Sequence, residues 1–144
     1  MTNPALPARL REIVDEFRDA DRSEKLELLL EFSDKLPALP ERLRTQRDQM
    51  EQVHECMSPV FLFTERDGAG LVFHFDVPAE APTTRGFASL MAEGLHGSTP
   101  AEVLSLNSDF FSEMGMPQLL SPQRLNGITA IVAYMKRQAM KFVE

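Results

Sequence analysis

Val60-Phe61-Leu62-Phe63-Thr64-Glu65-Arg66-Asp67-Gly68-Ala69-Gly70-Leu71-Val72-Phe73-His74-Phe75 is the stretch whose pattern governs the rest of the chain. Both ends are dense in β-branched and aromatic residues, which suit a pleated, half-buried surface. The middle holds Asp67-Gly68 and Gly70, residues that tolerate the backbone angles of a tight turn. A β-hairpin is predicted. In its second strand Leu71, Phe73 and Phe75 alternate with Val72, His74 and Asp76, so one face is expected to meet the core and the other to stay partly polar. Just upstream, Met50 to His54 is a candidate third short strand, which would place Cys56 on the loop joining two strands.

On either side of the hairpin the apolar period lengthens to that of a helix. Leu6, Leu10, Ile13, Val14 and Phe17 fall at helical spacing behind Pro7, which suits a first turn. Asp21 and Glu24 form a capping box for a second helix carrying Leu26, Leu29, Leu30 and Leu36 on one face until Pro37 and Pro40 end it. These two helices are expected to pair. Glu41 to Gln52 is highly polar, with Arg42, Arg44, Arg47, Asp48 and Glu51, and reads as a solvated connector or a charged face for a partner. After the hairpin, Thr83 or Thr84 can cap a helix with Phe87, Leu90, Met91 and Leu95, closed by Gly97. Thr99-Pro100-Ala101-Glu102 opens a short helix to Leu106. Ser108 starts another with Phe110, Phe111 and Met114, ended by Gly115 and Pro117. Ser121-Pro122 opens the longest, where Leu125, Ile128, Val132, Met135, Ala139 and Phe142 recur every three or four residues, with Lys136, Arg137 and Lys141 opposing the dipole at its end. The expected architecture is α+β: a small antiparallel three-stranded sheet flanked by about six helices, in a single domain spanning residues 1–144.

A chain of 144 residues can bury a core without covalent staples. Fifteen basic against 22 acidic residues give a net charge of −7. That balance argues against nucleic acid or an anionic membrane surface as the main partner, since both require a basic footprint. No run approaches the eighteen or so apolar residues of a membrane span, and Met1 to Ala8 lacks the features of a signal peptide. The expected compartment is the cytoplasm, where a free thiol survives.

Cys56 is the only cysteine in the sequence. It has no partner for an internal disulfide and cannot supply the clustered thiolates of a structural zinc or iron-sulfur site. A lone cysteine is commonly a small buried apolar residue. Its polar neighbours in Val53-His54-Glu55-Cys56-Met57-Ser58-Pro59-Val60 favour a thiol kept for its chemistry. His54, Cys56 and His74 lack zinc-ligand spacing, so no metal is expected. Nothing in the pattern selects the oriented base and oxyanion hole of a Cys-His hydrolase. His96, beside Gly97, reads as a helix-end residue, and most of the eight methionines as core filler; Met57 could instead line a pocket around the sulfur.

Taken in order, these segments resemble the SufE family of sulfur-acceptor proteins. The resemblance rests on Lys35-Leu36-Pro37-Ala38-Leu39-Pro40, similar to the family's K-L-P-x-L-P; on Val53 to Val60, similar to V-x-G-C-x-S-x-V; on Arg85-Gly86; on Thr99-Pro100-Ala101-Glu102-Val103-Leu104; and on Leu120-Ser121-Pro122-Gln123-Arg124-Leu125-Asn126-Gly127. It implies an IscU-like fold and a sulfur relay rather than a stand-alone enzyme. A cysteine desulfurase (SufS-like), which holds its own pyridoxal phosphate, would pass persulfide sulfur to Cys56. The sulfur would go on to an iron-sulfur scaffold, SufBCD-like or IscU-like. The chain itself would need no cofactor, and Cys56 alone does not support a cluster-scaffold role. The alternative is a thiol-bearing interaction or redox-sensing protein that keeps the fold without sulfur transfer.

A free thiol has a pKa of about 8.5, so only a few per cent is ionised at neutral pH without a positive neighbour. Arg124, matching the arginine of the family's S-x-x-R-x-N-G motif, is the candidate for thiolate stabilisation or docking; the bland reading is a brace for a loop. His54 is a weaker candidate. Glu55 stands where the family usually has glycine, so it either takes an ordinary backbone angle or bears strain, and its charge is expected to raise the thiol pKa. Glu80, where many members carry aspartate, reads as a solvated turn acid. Met57 and the hairpin phenylalanines are the expected apolar wall around the sulfur.

Overall fold

The computed structural model describes residues 6–107 and 109–143. Its sheet is antiparallel with the order β1 (Glu51–Gln52), β2 (Phe61–Asp67), β3 (Gly70–Asp76). The hairpin closes as Asp67 pairs with Gly70 and runs in register to Phe61 opposite Asp76. Gly68 takes φ +64°, the left-handed angle that a two-residue turn requires. Leu71, Phe73 and Phe75 are buried, as the alternation predicts, and Leu62 and Thr64 join them from β2. The short third strand is present, pairing Glu51 with Leu62 and Gln52 with Phe61.

Eight α-helices occur among the described residues: α1 (Ala8–Asp19), α2 (Arg22–Lys35), α3 (Glu41–Arg44), α4 (Pro82–Gly94), α5 (Pro100–Leu104), α6 (Asp109–Met114), α7 (Met116–Leu119) and α8 (Pro122–Met140). The periodicity predicts six; α3 and α7 are the additions. Both are single turns, too short to show a period. The polar 41–52 segment is therefore more than a solvated connector: α3 and a 3-10 turn (Arg47–Gln49) fold it back, and Leu43 and Met50 are buried. α4 starts at Pro82, ahead of both threonines, and ends at Gly94 rather than Gly97. The expected start of α6 at Ser108 lies outside the described residues. The capping box at Asp21–Glu24 forms as predicted, Thr99 and Glu102 form a second one at the start of α5, and Ser121 caps α8 by accepting from the Arg124 amide.

The first two helices do not pair along their length. Both lie against α4, and they meet where Phe17 and Phe32 stack with ring centroids 6.3 Å apart. Leu29 and Phe32 supply the buried face of α2, while Leu26 and Leu30 are 40% and 50% exposed. α4 can approach α2 closely because of Gly86: a Cβ there would fall 2.2 Å from the Leu29 carbonyl oxygen. Arg85 locks the same junction, donating to the carbonyls of Ser33 (3.0 Å) and Val77.

One apolar cluster joins sheet and helices, with Phe87, Leu90 and Met91 from α4 and Ile128, Ile131 and Met135 from α8. α8 is fixed on the sheet by a buried polar link. Thr64 Oγ1 donates to Gln138 Oε1 (2.6 Å), and Gln138 Nε2 donates to Glu51 Oε1 (2.9 Å) and the Leu62 carbonyl (3.3 Å). Burying an amide is tolerable only when its donors and acceptor are satisfied, so this link sets the position of α8. The opposite end of α8 thereby lands on the cysteine loop. Residues 36–40 run beside β3 and share with it a groove of about 620 Å³. No helix among the described residues is long and apolar enough to cross a membrane.

Candidate functional site

The loop between β1 and β2 is pinned at its base. The Val53 amide donates to the Val60 carbonyl (2.8 Å), both valines are buried, and the Cys56 amide donates back to Val53 (3.3 Å). The side chain of Cys56 is half-buried and turned toward α8, with Sγ 3.6 Å from the Gly127 carbonyl oxygen. Cys56 borders a cavity of about 230 Å³ whose other walls come from 80–84 and from Gln123, Arg124 and Gly127. The first turns of α4 and α8 therefore both border it, and helix N-termini carry partial positive charge.

That positive character does not ionise the resting thiol. Burial pushes the Cys56 thiol up from an ordinary value near 9 to about 11, and the charge of Glu55 adds to the effect. At neutral pH the closed loop holds a protonated, weakly nucleophilic sulfur.

The structure brings Arg124 to the cavity wall with its residue exposed to solvent. His54 is exposed and takes no part in the cavity wall. Glu80 is exposed, as a turn acid would be, and also borders the cavity. Met57 lies at the rim, 76% exposed, and none of the hairpin phenylalanines borders the cavity. Of the expected wall, Met57 is present and the phenylalanines are not; the ends of two helices stand in their place. Glu55 bears no strain, since no described residue other than glycine has positive φ. Its carboxylate accepts a hydrogen bond from the Tyr134 hydroxyl at 2.8 Å.

Gly127 and Tyr134 carry no thiol chemistry of their own: Gly127 enters the sequence reading only as the end of a motif, and Tyr134 not at all. The signal for Gly127 lies in the Asn126-Gly127 pair; a glycine six positions into a helix calls for a close-approach explanation. Tyr134 has no such signal. His74 bonds instead to Glu65 (3.0 Å) on the hairpin. Among the described residues no group of three or more His, Cys, Asp or Glu side chains is placed to hold a metal ion.

Residues 11–139 match the profile of SufE, described as an Fe-S metabolism associated domain. The chain belongs to the SufE family. An uncharacterized SufE-like protein of Mycobacterium tuberculosis is 48% identical over 140 residues, covering 96% of each chain. The protein named cysteine desulfuration protein SufE in Plasmodium falciparum is 23% identical over 136 residues, covering 91% of this chain and 53% of its own. A hypothetical protein from Thermus thermophilus, solved in solution, superposes with a TM-score of 0.84 at 31% identity over 95% of this chain and 97% of its own. With SufE membership established, the glycines of two shared motifs acquire physical roles: Gly86 admits α2, and Gly127 admits the cysteine.

Proposed function

We propose that this SufE-family chain is a sulfur acceptor that takes persulfide sulfur from a cysteine desulfurase onto Cys56, stimulates that enzyme, and delivers the sulfur for iron-sulfur cluster assembly. The observation that carries the reading is the placement of the solitary thiol on a loop, seated over a small cavity between two helix N-termini. Membership of a family associated with Fe-S metabolism supports it, as does the name of the Plasmodium relative.

The chemistry is thiol-disulfide exchange with a persulfide in place of the disulfide. Cys56 first loses its proton. Its thiolate then attacks the outer sulfur of the partner's persulfide, forming a new S–S bond as the bond to the partner's own cysteine breaks, and that cysteine leaves as a thiolate. The pyridoxal phosphate that generates the persulfide belongs to the partner, and this chain holds the sulfur covalently without a cofactor. Because the resting thiol is protonated and turned inward, the loop must swing out for the attack, and the partner's surface supplies the environment in which Cys56 ionises. Arg124 at the cavity wall is the residue assigned to stabilise the sulfur anion or to dock the partner.

Mass spectrometry after mixing the chain with a desulfurase and free cysteine tests this. The expected result is a gain of one sulfur atom per chain, removed by reductant and missing from Cys56→Ser. A wild-type chain that gains no sulfur overturns the relay and leaves a thiol-bearing interaction or redox-sensing protein.

A further inference from the structure

Two neighbouring residues of the cysteine loop touch α8 at points seven residues apart: Cys56 at Gly127 and Glu55 at Tyr134. Seven residues are close to two helical turns, so both points lie on one face of α8, about 10 Å apart along its axis. The loop is laid along the helix and fastened twice. The second fastening is itself braced, because the Arg137 guanidinium lies 4.4 Å over the Tyr134 ring and pairs with Glu51 in β1, at the root of the same loop.

We propose that Tyr134 is a positioning residue for the thiol: by holding Glu55 against α8, it keeps Cys56 turned into its cavity until a partner displaces the loop. The inference deepens the sulfur-acceptor reading and rests on it for its purpose. Glu55 acts in two separable ways. Its charge disfavours the thiolate, while its oxygen, as acceptor from Tyr134, disfavours the open loop. The tether is solvent-exposed, which keeps it weak enough for a docking surface to break.

The test is the rate of Cys56 alkylation by a bulky maleimide across a pH series, in the isolated full chain. Tyr134→Phe removes only the donor and is expected to speed alkylation about fivefold, the size of one modest hydrogen bond, and to lower the apparent thiol pKa because the sulfur spends more time in water. Glu55→Gln keeps an acceptor for Tyr134 and loses the charge, so it is expected to lower the pKa while the rate of the fully ionised thiol stays near wild type. Glu55→Ala breaks the tether from the other side, and combined with Tyr134→Phe it should give no more opening than either change alone. Wild-type alkylation by Tyr134→Phe, or effects of Tyr134→Phe and Glu55→Ala that multiply, overturns the positioning role. Should Tyr134→Phe fail to fold, Glu55→Ala against Glu55→Gln decides the same question. Sulfur loading is scored separately: a wild-type chain that never gains sulfur sinks the relay with the tether intact, and normal loading with unaltered alkylation sinks the tether alone.

Discussion

Cys56 and Gly127 fit together as knob and recess: a Cβ at position 127 would lie 3.2 Å from Sγ and 3.7 Å from the cysteine Cα. The recess is in the first half of α8, where a glycine weakens the helix by roughly 0.5–1 kcal/mol relative to alanine. The chain accepts that cost where the sulfur needs the space.

Gly127→Ala therefore sets two effects against each other. The helix gains propensity, while the new methyl is tight against the thiol and pushes it outward. Overall stability is expected to move by less than about 1 kcal/mol, and alkylation of Cys56 to accelerate severalfold. Thermal unfolding and alkylation kinetics on the same sample check both. An unmoved alkylation rate would mean that the loop shifts without turning the sulfur outward.

The thiol also gives the chain a signature at high pH. A group with a folded pKa raised above its unfolded value contributes stability below the unfolded value and loses it as pH climbs through the folded one. With an ordinary value near 9 and a folded value of about 11, Cys56 favours the folded state below pH 9 and progressively less between 9 and 11. Cys56→Ser should lack that step in denaturant midpoints measured across this window. Glu55→Gly, by removing the charge that contributes to the rise, should shift the alkylation profile toward lower pH.

Arg85 is expected to act through structure alone. Arg85→Ala leaves the Ser33 and Val77 carbonyls without their charged donor and should cost about 2–3 kcal/mol, read as a lowered unfolding midpoint. Gly86→Ala should be worse, since the obstructing atom is backbone. A midpoint within error of wild type in Arg85→Ala would show that solvent replaces both bonds.

If the loop opens on docking, a catalytically inactive desulfurase should accelerate alkylation of Cys56 by a reagent too bulky for the closed cavity. Equal rates with and without the partner would leave the loop's opening independent of binding.

The hairpin is legible in the sequence because its period-2 pattern runs for two full strands, and the helix starts at Asp21, Thr99 and Ser121 because capping is local chemistry. The face of α2 is legible only in part: Leu29 and Leu36 are buried as the spacing predicts, but Leu26 and Leu30 stay exposed and the helix turns Phe32 inward to meet Phe17. At the site, the motif locates the cysteine and the arginine. The wall around the sulfur is built from segments up to 71 residues away, and such contacts depend on the placement of α8, a tertiary arrangement that includes the Thr64–Gln138 link and has no local signature.

The Lys35–Pro40 motif has a consequence for the sheet. β3 is an edge strand, and at Leu71 its outward amide and carbonyl are taken by Ser98 and Gly97. Two and four residues on, the backbone amides and carbonyls of Phe73 and Phe75 point the same way, toward the groove bordered by Pro37 and Pro40, while their side chains stay in the core. Prolines have no amide to offer a ladder, so this stretch cannot become a fourth strand, yet it stands where a foreign strand would have to lie. The chain thus lays its own proline-bearing stretch along the outer side of β3, and a foreign strand would have to displace that stretch before it could pair there.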